Sequence, residues 1–391
     1  MKSSRPEIAD HTTAQTPALH IMQVAPFYSA YLDYFYRSRP GLSLHSSAVQ
    51  TEALLQDAFS AIHNVIPYIQ RHDTTFVVSN AKPLQRAWAK SHNAHYEAAS
   101  WEKEILRLRI ETERPDVLYL TTTIRFDSSF LRTLSPRPRL ILGWHGCDVP
   151  SSADWSEYDA ILSGLPRLLH VAERLGARHG IMFHPGMPPW LAQAVVDTPK
   201  TVDVCFVGSI SPTQHQKRLH VLDALAKAAA RHNFGLALHL NCHPSQISPA
   251  MRPFLRPPAF GLAMMQALAA SRIAVDDRAQ HGLIMPDGSK KVDLGGDDTI
   301  NMRLFEATGS GALLLTEALP GLRRYFEPGK EVDTWQDTEE LTQKILYWLA
   351  HEKERASMAA AGRARCLAEH SINKAAEKFV QIIHDLLIKK Q

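Results

Sequence analysis

Short apolar runs rich in β-branched residues alternate with helix-period stretches along almost the whole chain, and the pattern occurs twice, on either side of a proline-dense break. Such alternation is the mark of a parallel sheet wrapped by helices. In the first half, strands are expected at Leu19–Ala25, Thr75–Ser79, Asp116–Thr121, Arg139–Trp144, Asp159–Ser163 and Gly180–Phe183, with helices at Glu52–Arg71, Glu97–Glu113 and Leu165–Leu175. In the second, strands fall at Asp203–Gly208, Leu236–Asn241, Arg272–Asp276 and Ala312–Thr316, with helices at Lys217–Arg231, Gly261–Ala270 and Thr299–Thr308. The run His184-Pro185-Gly186-Met187-Pro188-Pro189-Trp190 cannot continue a strand or a helix interior, so the boundary lies near 185–201.

The fold class is therefore α/β, with a first Rossmann-like domain over 19–190 and a second over 191–370. Residues 1–18 read as a polar, disordered leader, and 371–391 as a last helix. In that helix Ile372, Ala376, Phe379, Ile383 and Leu386 step by three or four, making an apolar stripe that packs on its own domain or crosses back to brace the first. At 391 residues and 45% apolar, the chain has material for two cores.

The 43 basic and 40 acidic residues are well mixed, so no polybasic run points to nucleic acid or a membrane surface. Nowhere do eighteen apolar residues run together, and Cys147, Cys205, Cys242 and Cys366 stand apart without a C-x-x-C pair. A soluble cytoplasmic protein with reduced thiols is expected. No G-x-G-x-x-G follows a strand and no Walker loop exists, which argues against dinucleotide and ATP chemistry. His239, Cys242 and His243 lack zinc-ligand spacing, and no metal or cofactor is expected.

The densest signal is the run from Asp297 to Glu317, which reads as a capped helix start, a short helix, a glycine stop and a buried strand, with Asp298 or Thr299 as N-cap. The free N–H groups at such a helix start suit a diphosphate, and Glu306, further along, suits a ribose diol. The local pattern equally describes a helix-glycine-strand unit with no ligand. His145 follows directly on a strand, at the carboxyl end where open α/β sheets place ligands, with Asp148 as a partner that would orient it. The loop Pro26-Phe27-Tyr28-Ser29 follows the first strand in the same way, so Tyr28 and the nearby Asp33 are acceptor-side candidates; Tyr31, Tyr34, Phe35 and Tyr36 read as a packed aromatic cluster.

The stretch from Asn301 to about His370, with F-E-A-T-G-S-G-A-L-L-L-T-E-A-L-P-G-L, Y-F-E-P-G-K-E-V at 325–332 and A-A-G-R-A-R…E-H-S at 360–371, resembles the C-terminal domain of group 1 glycosyltransferases. It is most similar to the spore-maturation-protein CgeB-like branch, and Asp203–Ser209 extends the likeness to the start of that domain. The resemblance implies a GT-B fold and a glycosyltransferase whose nucleotide-sugar donor sits in the interdomain cleft, mostly on the C-terminal side, with no metal required. It implies a ribose contact for Glu306, and diphosphate contacts near Asn301 and Arg303 in an N-x-R-x-F-E pattern. Asp298 stands where many members carry a longer carboxylate. Gly208 and Ser209 end the first strand, and Lys217 and Arg218 stand where the family places a basic residue against the pyrophosphate. A histidine at the place of His145 contacts the donor sugar in that family. Two other functions fit the same fold, a non-catalytic binding protein and a sugar-nucleotide epimerase; the sugar and the acceptor are unidentified.

Overall fold

The computed structural model describes residues 18–211, 215–296 and 301–390; the leader, save Ala18, lies outside them, as do Asp298 and Thr299. Six parallel strands form the first sheet: β1 (His20–Ala25), β2 (Asp73–Val78), β3 (Val117–Leu120), β4 (Leu140–Trp144), β6 (Ala160–Ser163) and β7 (Gly180–Met182), ordered β2-β1-β3-β4-β6-β7. The short β5 (Val149–Pro150) stands outside it. Four residues of β3 and four of β6 are all buried, the continuous apolar run that a strand covered on both faces requires.

The second sheet contains β8 (Val202–Ser209), β9 (Leu236–Asn241), β10 (Leu255–Arg256), β11 (Ser271–Val275), β14 (Leu313–Glu317) and β15 (Asp333–Trp335). Its order, β10-β9-β8-β11-β14-β15, is the doubly wound arrangement in which strand order reverses between β8 and β11. In the first sheet the reversal falls between β1 and β3. Ligands of such sheets lie beyond the carboxyl ends at the reversal, so the architecture marks out Pro26 and its neighbours in one lobe and Ser209 and Asp276 in the other. Two parallel-sheet, Rossmann-like lobes facing each other make a GT-B fold.

The chain passes between the lobes twice, and the passages lie side by side. Met187 donates its N–H to the His370 carbonyl at 2.8 Å, and the Ile372 N–H donates back to Met187 at 3.0 Å. A Cβ on Gly186 would stand 2.6 Å from the Ser371 backbone, so the close approach requires glycine there. Beyond this point the helix Ile372–Lys389 returns to the first lobe: Ile372, Ala376, Phe379, Ile383 and Leu386 are buried in the first lobe's core. The Phe379 ring lies 4.7 Å from Tyr119 and 5.8 Å from Phe183. The preceding helices, Thr338–Ala350 and Glu352–Glu369, remain with the second lobe. The first of these is capped by Asp337, which accepts from the N–H groups of Glu339 and Glu340 at 2.9 Å each.

A third, small sheet joins the lobes. The hairpin β12 (Gly282–Ile284) and β13 (Lys290–Asp293) of the second lobe adds to β5 of the first through Leu283↔Val149 and Ile284↔Pro150. Leu294, just past the hairpin, is fully buried in the first lobe. The sequence pattern does not announce this hairpin, because β5 and β12 are too short to show a period.

Two helices differ from expectation. Glu52–Arg71 is a helix only over Ser47–Gln56, followed by 3₁₀ turns at Ala61–His63 and Ile66–Tyr68. Ala58 and Ser60 adopt left-handed φ values of 61° and 56°, and Pro67 follows, so the helical hydrogen-bond ladder ends. The described part of the expected Thr299–Thr308 helix begins only at Arg303 and runs to Gly309. The proline break itself carries a helix, Pro189–Ala194, since a first turn tolerates proline.

Removing the buried ring in Phe379→Ala leaves a cavity between the last helix and the first sheet. It is expected to lower the unfolding free energy by about 3–5 kcal/mol, read as the shift in urea midpoint followed by circular dichroism.

Candidate active site

Between the lobes lies a cavity of about 460 Å3, within the roughly 300–1,000 Å3 common for small-ligand sites. Its second-lobe wall is built outward from Asp276, which directly follows β11 and is 5% exposed. The Asn301 amide donates to both Asp276 oxygens, at 2.9 and 2.8 Å, and the Thr316 hydroxyl donates at 3.2 Å. Asn301 in turn accepts from the Arg303 N–H at 2.8 Å and so sets the start of the helix Arg303–Gly309.

From that helix Arg303 reaches the Glu306 carboxylate at 2.8 Å and the Val207 carbonyl, near the end of β8, at 2.9 Å. Glu306 lines the cavity, although only 8% of it is exposed. Burial pushes its pKa up, against the Arg303 charge that pulls it down, and Asp276 adds to the rise. Arg218 also lines the cavity, with one N–H donated to the Ser209 carbonyl at 2.8 Å. Burial lowers its pKa, and the carboxylates of Asp276 and Asp277 oppose that effect. Gly208 and Ser209 complete this wall.

The first lobe supplies an aromatic wall. Tyr28, Phe59 and Trp144 line it together with His63, and Phe260 joins them from the second lobe. The Phe59 ring stacks on Tyr31 at 4.0 Å, with 13° between planes. Tyr28 is 55% exposed and lines the cavity together with Ser209 of the opposite lobe. Tyr28 thus shares the cavity with the end of β8.

The structure brings together Tyr28, Gly208, Ser209, Arg218, Asn301, Arg303 and Glu306 in this cavity. Four other candidates stand elsewhere. His145 is 4% exposed and turned inward: Nδ1 meets the Thr123 hydroxyl at 2.9 Å, and Nε2 meets the Asp148 carbonyl at 3.1 Å. Asp148 meets it only through the main chain; its carboxylate accepts from the Gly282 N–H at 2.8 Å and pairs with Lys290 at 3.1 Å. That carboxylate therefore anchors the hairpin that joins the lobes. Lys217 is paired with Glu317 at 2.6 Å, outside the cavity lining, and Asp33 stands exposed on the helix Ser29–Arg37.

Residue-type and motif reading missed Asp276, Asp277, His63, Arg278 and His281. One signal was present: two adjacent acids, Asp276 and Asp277, at the end of a strand that neighbours the reversal point. Asp277 is 1% exposed, and burial pushes its pKa up to about 7 despite Arg218 nearby. No group of three or more His, Cys, Asp or Glu among the described residues is arranged to hold a metal ion. His239 is occupied with the Pro257 carbonyl at 2.7 Å, and His243 caps a 3₁₀ turn.

Burial makes His145 acid-sensitive. Its pKa is pulled down to about 4, whereas the unfolded chain charges it near about 6.5. The unfolded state thus binds the proton first, so the stabilisation is whole above about pH 6.5 and is lost as pH falls towards 4. The His145→Asn variant is expected to lose less stability than the native chain between pH 7.5 and 4.5, by about 2–3 kcal/mol, measured by urea unfolding at both pH values.

Residues 218–381 match a family model described as glycosyl transferase-like. No curated protein matches the chain. Among solved structures, a glycosyltransferase from Rickettsia africae is 11% identical at a TM-score of 0.57, covering 95% of this chain and 99% of its own. Anabaena HepE in complex with UDP and glucose is 12% identical at 0.55, covering 94% and 100%. Sucrose-phosphate synthase from Thermosynechococcus elongatus is 12% identical at 0.54, covering 95% and 100%. At such identities the likeness concerns the fold. Most of the second lobe, from Arg218 onward, with part of the last helix, carries the glycosyl transferase-like pattern on a chain whose two lobes have the GT-B architecture.

Proposed function

We propose that the protein is a glycosyltransferase that binds a UDP-sugar in the cleft and passes the sugar to an acceptor hydroxyl presented by the first lobe. One observation carries this reading: Glu306, Arg303 and the end of β8 form a single hydrogen-bonded unit at the cleft, which Tyr28 of the opposite lobe also lines. Glu306 accepts from the ribose diol, which a carboxylate with two oxygens matches. Arg218 and the backbone at Gly208 and Ser209 take the diphosphate. As the bond from the anomeric carbon to the diphosphate oxygen breaks, negative charge grows on the departing UDP, and a guanidinium already fixed in place stabilises it without reorganisation. The acceptor oxygen bonds to the same carbon and its proton passes to solvent, so that the products are the glycoside, UDP and a proton. Cationic side chains supply the neutralisation in this scheme, and neither a metal nor a cofactor is part of it.

The donor identity draws on HepE, whose structure holds UDP and glucose. Membership of the CgeB-like branch is part of the same proposal and rests on Asn301, Arg303, Phe305 and Glu306 in the N-x-R-x-F-E order. A second reading, a GT-B protein that binds donor without turning it over, is favoured by one fact: the His145 ring is held by Thr123 and the Asp148 carbonyl behind Cys147 and does not itself line the cleft.

Glu306→Ala is expected to weaken UDP binding about 10- to 100-fold, the worth of hydrogen bonds to a charged group. Arg218→Ala is expected to cut donor turnover by about 100- to 1,000-fold. Thermal shift with UDP and hydrolysis of a UDP-sugar panel check both. Unchanged turnover in the two variants rules out the site, while UDP binding without hydrolysis of any donor selects the second reading.

A further inference from the structure

The segment Phe59–Asn64 is a wall with two occupied sides. Phe59, Ser60, Ile62 and His63 line the donor cleft, whereas Ala61 and Asn64 line a second cavity of about 450 Å3. The segment enters through the left-handed residues Ala58 and Ser60, a conformation that non-glycine residues hold only where surrounding contacts enforce it.

The second cavity is lined by Trp190 and Tyr68, by the apolar Leu55, Ala61 and Pro67, and by Glu52, Gln56 and Asn64. Trp190 is 42% exposed, and its indole N–H donates to the Tyr68 hydroxyl at 2.7 Å, which fixes the ring against the first lobe. Glu52 and Gln56 stand one turn apart on the helix Ser47–Gln56. The Gln56 amide donates to one Glu52 oxygen at 2.7 Å, leaving further acceptor capacity on that carboxylate. Asn64 is 3% exposed, lines the cavity, and its Oδ1 makes no hydrogen bond.

A part-exposed indole in a cavity that also presents the exposed carboxylate of Glu52 and carboxamide of Gln56 fits a pyranose ring. The axial C–H face of the sugar covers the indole, and its hydroxyls both donate to and accept from the polar rim. An aliphatic chain would instead strip water from Glu52 and Gln56 with nothing in return. We propose that this cavity is a neutral-saccharide subsite, holding a sugar unit of the acceptor glycan on the opposite side of the wall from the reacting end. The inference rests on the glycosyl-transfer reading of the cleft.

The test is capture of the labelled full chain on a printed array of neutral oligosaccharides, with saturating UDP, alongside UDP thermal shift in solution. Native protein is expected to retain a subset of glycans. Trp190→Ala should lose that retention at least 10-fold, while Trp190→Phe, which keeps a ring, retains most of it, and both should keep the native UDP shift. Retention unaltered in Trp190→Ala, an array that captures nothing, or binding to phosphatidylcholine vesicles in place of glycans overturns the subsite. Glycan capture that depends on Trp190 in a protein showing no UDP shift would keep the saccharide site and refute the donor reading instead.

Discussion

The candidate site depends on a buried carboxylate. Asp276 is removed from water and receives three hydrogen bonds, two of them from Asn301. An ionised group in that position is tolerable only with such donors around it. The same asparagine starts the helix that carries Arg303 and Glu306, and Arg303 then closes on β8. A single chain of polar contacts thus fixes the end of β11, the helix start and the end of β8 relative to one another. Preorganisation of this kind is what a site for a charged nucleotide needs, since donors already in place spend no free energy on rearrangement when the ligand arrives.

The folding pattern was largely legible from residue types, and the reason is periodicity. Strands such as β3 and β4 are runs of apolar residues between turn signals, and the stripe from Ile372 to Leu386 is a helical repeat that requires a partner. Order across the sheets, by contrast, and the joining of β12 to β5, are long-range facts that a two- or three-residue strand cannot encode locally. The helix expected over Glu52–Arg71 failed for a related reason. Its apolar content was sound, but Ala58 and Ser60 are bent by contacts with distant parts of the chain: the Leu262 N–H donates to the Asp57 carbonyl at 2.8 Å, and Phe59 packs on Phe260.

Site residues divide along the same line. Asn301, Arg303 and Glu306 lie within six positions and are visible as a motif, and Ser209 and Tyr28 follow from the rule about strand ends. His145 obeys the same rule at β4, yet its ring turns inward to Thr123, a hydroxyl 22 residues earlier in the chain. Strand-end position fixes where a backbone emerges and leaves the side-chain direction to its neighbours. Asp276 escaped notice because its significance lies in an asparagine 25 residues away, beyond the reach of a local motif.

The small sheet of β5, β12 and β13 bears on how the molecule moves. The lobes are tied at the paired passages through Met187 and Ser371, and again where Leu283 and Ile284 meet Val149 and Pro150. A third tie holds the lobes as well, where the Leu262 N–H donates to the Asp57 carbonyl and Phe59 packs on Phe260, so relative motion of the lobes breaks contacts rather than turning freely about two points. A wider cleft would come at the expense of such contacts, and the two-residue register between β5 and β12 is the one with least to lose by unzipping, the hairpin then staying behind with the second lobe.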